Sequence, residues 1–187
     1  MNTVKRECGN LCRKGIHMDF SYVDDKMWKE LAIDFAKRWL SHDGLWFQAI
    51  ERHHGMEEAI KLDIEAWERQ TVLEAKRIMS ILGIEPGGGL DALETCLKYR
   101  MYAFLNEQHC ERPDDRTLIF YMDSCRVQRA RQSKNMDFFP CKPVGLVEYG
   151  KFAETIDNRI KTTCVGCPPD AVGPGWHCGW KFTLETE

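Results

Sequence analysis

From Met56 to Leu82 the chain runs without glycine or proline, and Ile60, Ile64, Trp67, Thr71, Ala75 and Ile78 recur along it at three-, four- and seven-residue steps. That spacing gathers the side chains on one helix face, which must then be covered. Gly83 and the run Glu85-Pro86-Gly87-Gly88-Gly89 end the helix, because glycine accepts left-handed backbone at a C-terminus and proline cannot continue the ladder. Whatever the rest of the chain does, it has to pack against this rod.

Upstream, Asp24-Asp25 precede Met27, Trp28, Leu31, Ala32, Phe35 and Trp39, which predicts a capped amphipathic helix reaching Ser41-His42. Asp43 is placed to cap another helix, with Gly55 closing it and His53-His54 favoured by its C-terminal dipole. Downstream, a fourth helix is predicted from Leu90 to Asn106, with Leu93, Leu97, Met101, Phe104 and Leu105 inward.

The texture changes at Arg112-Pro113-Asp114-Asp115. Thr117 to Met122 reads as a strand, Glu148 to Ile156 as a helix, and Arg159 to Val165 and Trp176 to Leu184 as two further strands. The last strand alternates, with Trp176, Cys178, Trp180, Phe182 and Leu184 on one face. The expected class is α+β: about four N-terminal helices forming a layer on a small antiparallel sheet from the C-terminal third. A helical region (1–110) and a cysteine-rich α+β region (111–187) would together make one compact domain.

A net charge of −3 and a pI near 6.1 provide no basic field for nucleic acid. No apolar run approaches the roughly 20 residues that span a bilayer, so no membrane partner is expected. The opening MNTVKRECGNLCRKG lacks an apolar core behind its basic residues, unlike a signal peptide. With 9 cysteines, reduced thiols and a cytoplasmic location are expected.

Five of those cysteines, Cys125, Cys141, Cys164, Cys167 and Cys178, fall in the last third. Cys164-Val165-Gly166-Cys167 places two thiolates at one bend, and thiolates are ligands for zinc or an iron–sulfur cluster. The expected ligand set is Cys141, Cys164, Cys167 and Cys178, with His177 or Cys125 as substitutes. Cys96 on a helix, and Cys8 and Cys12 near the N-terminus, read as ordinary small apolar or tail residues. Cys125 is a candidate nucleophile, with Arg126 and Lys142 beside cysteines to hold an anionic group. Trp46, Phe47 and Trp67 are expected to wall the pocket. Asp63, Trp67, Gln70 and Glu74 share a helix face; an acid/base pair or a hard-metal site there is weighed against a solvated shoulder, which is preferred.

Asp43-Gly44-Leu45-Trp46-Phe47, Glu51, Gly55, Ala59, Asp63 and Trp67 resemble a group of uncharacterised cytosolic proteins of anaerobic bacteria and archaea. So do Met122-Asp123-Ser124-Cys125-Arg126, Pro140-Cys141-Lys142, Cys164 to Asp170 and Cys178-Gly179-Trp180-Lys181-Phe182. More distantly, Gly175 to Phe182 is similar to the close of the L-2-amino-thiazoline-4-carboxylate hydrolase-like family and of 4-vinyl-reductase-type small-molecule-binding domains. The resemblance implies an α+β fold with a ligand pocket. Two functions stay open. One is an enzyme, a hydrolase of a small anionic heterocycle or amide at a thiol-rich site. The other is a non-enzymatic binding or sensor protein whose cysteines hold zinc or an iron–sulfur cluster. A homodimer is left open.

Overall fold

The computed structural model describes residues 20–170 and 172–185; Cys8 and Cys12 lie outside them. The fold is α+β, with most of the helix in the N-terminal half and an antiparallel sheet in the C-terminal half. Helix α1 spans Asp25–His54, α2 Met56–Leu82 and α3 Gly89–Leu97. A 3-10 turn at Met101–Phe104 leads into strands β1, Glu107–Asp114, and β2, Thr117–Ser124. Helices α4, Arg126–Gln132, and α5, Lys142–Ile156, precede β3, Ile160–Gly166, and β4, Cys178–Leu184. The sheet order is β1-β2-β4-β3, antiparallel throughout.

The cap of α1 is as expected, with Asp24 Oδ1 accepting from Met27 N at 2.7 Å. The break expected at Ser41-His42 does not occur, and α1 runs on to Gly55, whose φ of 88° makes the turn into α2. Asp43 is not a cap, because it lies inside this continuous helix, where it lines a cavity instead. The expected apolar stripe near the start of α1 is also corrected: Met27, Trp28, Phe35 and Trp39 are exposed, and Ala36 and Leu40 are the buried residues. On α2, Trp67, Thr71, Ala75 and Ile78 are buried as the period requires, with Ala59 and Met79 added; Ile60 and Ile64 are half-buried.

The long helix expected to Asn106 stops at Leu97. Arg100 is the cause. Its backbone is extended (φ −63°, ψ 149°), and its side chain turns inward to bond Glu74 at 2.8 Å and Glu148 at 2.6 Å. At 2 % exposure the guanidinium is fully enclosed, with Trp67, Tyr102, Tyr149 and Phe152 rings around it. The two carboxylates answer its charge and bond Nε and Nη2, while Nη1 is buried with no hydrogen-bond partner among the described residues. Strand β1 is a sheet element that the sequence concealed. It is a polar edge strand, with only Gln108 and Cys110 half-buried and Pro113 near its end, as unpaired edges favour.

Helix α5 begins six residues earlier than expected, at Lys142, because Pro143 occupies its first turn, where no N–H is required. It packs on α2 and β3. Gly145 lets the helix approach the sheet, since a Cβ there would run into the Trp180 ring. Trp180 stacks on Tyr149 at 4.9 Å. The core is continuous from Ala75 and Ile78 through Leu93, Leu118, Phe120 and Phe152 to Phe182.

Candidate functional site

A cavity of about 380 Å³ lies where α1, α2, α4 and α5 meet the inner face of β2 and β4. That is within the range of small-molecule pockets. Each layer contributes. From the helices come Phe47 of α1, Trp67 of α2 and Tyr149 of α5; from the sheet come Met122 and Trp180; Tyr102 and Phe139 come from connecting segments. Phe47 and Phe139 touch, with centroids 4.7 Å apart, and Arg131 of α4 forks onto Glu51 of α1 at 2.7 and 2.8 Å. These contacts tie α4 and its following loop against α1, closing that side. Of the expected wall, Phe47 and Trp67 line the cavity, whereas Trp46 is 68 % exposed and does not line it.

The acidic side of the cavity holds Asp43, Asp63 and Glu148. Glu148 is answered by Arg100, yet burial still raises its pKa. Burial raises that of Asp43 too, with His42 opposing. Asp63 is pushed up to about 7 by burial and by the Asp43 and Glu148 charges, which a hydrogen bond from Trp67 only partly offsets. No lysine or arginine forms an ion pair with Asp43 or Asp63 among the described residues. The shared face of Asp63, Trp67 and Glu74 is therefore interior, not the solvated shoulder that was preferred; only Gln70 is exposed. The missed signal was Arg100, a cation in reach of that face.

Four cysteines from separate segments form the thiol side: Cys125 before α4, Cys141 at the start of α5, Cys167 after β3 and Cys178 opening β4. Cys141 Sγ and Cys167 Sγ are 3.4 Å apart, and Cys167 also hydrogen-bonds Cys178. Gln128 Nε2 donates to Cys141 Sγ at 3.6 Å and to the Phe139 carbonyl at 2.8 Å, while Phe139 N donates back to Gln128 Oε1. The contact with Cys167 and donation from Gln128 hold the Cys141 thiol below the usual range. The same sulfur contact drives the Cys167 pKa up. Burial pushes Cys125 up to about 12, so it is a thiol at neutral pH.

The remaining expected residues are elsewhere. Cys164 does not line the cavity; its electrostatic neighbours are Lys142, Asp170 and Cys178. Lys142 is ion-paired with Asp170 at 2.5 Å, outside the lining, and that carboxylate raises its pKa. Arg126 stands at the rim, exposed, its backbone N–H held by Asn106 Oδ1 at 2.9 Å. His177 Nδ1 donates to the Asp123 carbonyl, 3.1 Å away, instead of joining the thiols. Among the described residues no group of three or more His, Cys, Asp or Glu side chains is arranged to hold a metal ion. All seven described cysteines are unpaired, and no helix is long and apolar enough to cross a membrane.

Residues 22–184 match the model of a family of unknown function, DUF6125. No curated protein matches the chain.

Proposed function

We infer that this chain, which belongs to the DUF6125 family of unknown function, is a small-molecule-binding protein whose ligand occupies the cavity between the helical layer and the sheet. One observation carries the reading. In a fold whose core is otherwise continuous, about 380 Å³ is left open and lined by aromatic rings with a few polar groups facing it, the usual make-up of a ligand pocket.

The polar groups favour a ligand with an aromatic body and N–H donors or a positive charge. Asp43 and Asp63 face the cavity without a cationic partner, whereas the nearest basic groups are either committed, as Arg131 is to Glu51, or exposed at the rim, as Arg126 is. This argues against the small anion expected from Arg126 and Lys142. Binding is favoured over hydrolysis, because the protonated Cys125 has no histidine beside it in the cavity lining to take its proton.

A thermal-shift screen with matched panels of small aromatic amines, amides and carboxylates tests this, run on the wild type and on Ala130→Trp, a variant designed to fill the opening at an exposed α4 residue of the cavity lining. The expected result is that amines or amides raise the wild-type Tm and leave the variant unmoved. Equal shifts in both proteins, or none in either, would sink the reading; shifts by carboxylates alone would restore the anionic ligand.

A further inference from the structure

We propose that Cys141 is the reactive thiolate of the cavity and Cys167 its partner in a dithiol–disulfide couple, with a low-molecular-weight disulfide as oxidising substrate. The proposal rests on the cavity admitting solutes but not on the class of ligand bound there. The two sulfurs are in contact at 3.4 Å, both line the cavity, and they come from segments far apart in the chain. The backbones hold them in register: Lys142 N donates to the Pro168 carbonyl at 2.9 Å, one residue beyond each cysteine. A disulfide between them therefore needs only a short approach of two side chains.

Geometry also separates their roles. Cys141 opens α5, a helix of 15 residues, where first-turn N–H groups favour an anion. It accepts from Gln128, which is itself fixed at both ends of its amide by Phe139. Cys167 is 1 % exposed and lies between Cys141 and Cys178. The more accessible sulfur is thus the one prepared for attack, and the enclosed one is placed to resolve it.

The chemistry balances. The Cys141 thiolate attacks one sulfur of a disulfide RS–SR, the S–S bond breaks, and RS⁻ leaves with the electron pair. That thiolate takes the proton of Cys167. The Cys167 thiolate then attacks Cys141 Sγ and expels the second RS⁻, which is protonated by solvent. The protein loses two electrons as one disulfide forms, and RS–SR gains them as two thiols.

The experiment uses the full chain, purified without oxygen, fully reduced, desalted and exposed to glutathione disulfide. Remaining thiols are alkylated, and peptides are mapped by mass spectrometry under denaturing, non-reducing conditions. The wild type should form a Cys141–Cys167 disulfide and retain no glutathione, while Cys167→Ser should stop at a mixed disulfide on Cys141. Iodoacetamide at pH 7 should modify Cys141 at least about ten-fold faster than any other cysteine. The wild-type map stands even if a variant misfolds. A bond joining Cys167 to Cys178 with Cys141 free, or attack at Cys164 first, would overturn the proposal. So would a zinc ion or cluster that must be stripped before any thiol reacts, which would make these sulfurs ligands.

Discussion

Asp63 shows how one buried side chain can leave a mark on the whole protein's pH response. Its pKa is about 7 in the fold, against 3.8 for the ordinary carboxyl. Between these values the folded state keeps a proton that the unfolded state has released, so stability falls as pH rises from about 4 to about 7 and then levels off. Removing the charge should flatten that slope. Relative to its own value at pH 4, Asp63→Asn should be more stable than wild type at pH 8 by on the order of 2–4 kcal/mol. Urea denaturation at the two pH values measures it, and parallel losses in both proteins would show that another group is responsible. A cationic ligand answering Asp63 would draw the same proton out, so its binding should tighten as pH rises through 7.

Among the elements, α1 is the one whose continuity matters most for the site, because Leu40, Asp43 and Phe47 reach the cavity only if the helix does not break between them. Gly44 lies inside that helix, and a Cβ there meets nothing within 4 Å. Gly44→Ala should therefore raise stability by about 0.5–1 kcal/mol, the usual difference between the two residues inside a helix, read as a shift in urea midpoint at unchanged slope. A loss of stability would mean that the chain bends at Gly44. Strand β4 is the counterpart in the sheet. Its alternation was legible from the sequence because Trp180, Phe182 and Leu184 are large and apolar at two-residue steps, and it does carry Cys178 on the inner side, whereas Trp176 precedes the strand and packs on Tyr121 instead. β1 was illegible because an edge strand with a mostly solvated surface has no such pattern.

For the molecule as a whole, the decisive fact is that one core runs through both halves. Ala75, Ile78 and Met79 of α2 belong to the same cluster as Leu118, Phe152, Trp180 and Phe182. Arg100 adds a polar bolt, joining Glu74 of α2 to Glu148 of α5. Helices and sheet should then unfold together. Urea transitions followed by far-UV circular dichroism, which reports mostly the helices, and by hydrogen exchange of sheet amides should share one midpoint. Two separated midpoints would mean that the helical region folds on its own.

What the sequence determined by itself were the features set by local periodicity and capping: the span of α2, the cap at Asp24, the turn at Gly55, the inner face of β4 and the α+β class. Each depends on residues within one or two turns or strand steps of one another. It also pointed to the thiol-rich end of the chain. Tertiary structure decided which of those thiols meet, bringing Cys125, Cys141, Cys167 and Cys178 to one wall while Cys164 stays with Lys142 and Asp170. It likewise turned Asp43, Asp63 and Glu74 inward, against their ordinary preference for water, because Arg100 and the cavity stand where α1, α2 and α5 converge. No local pattern encodes that meeting. It follows from which surfaces the buried core leaves facing each other.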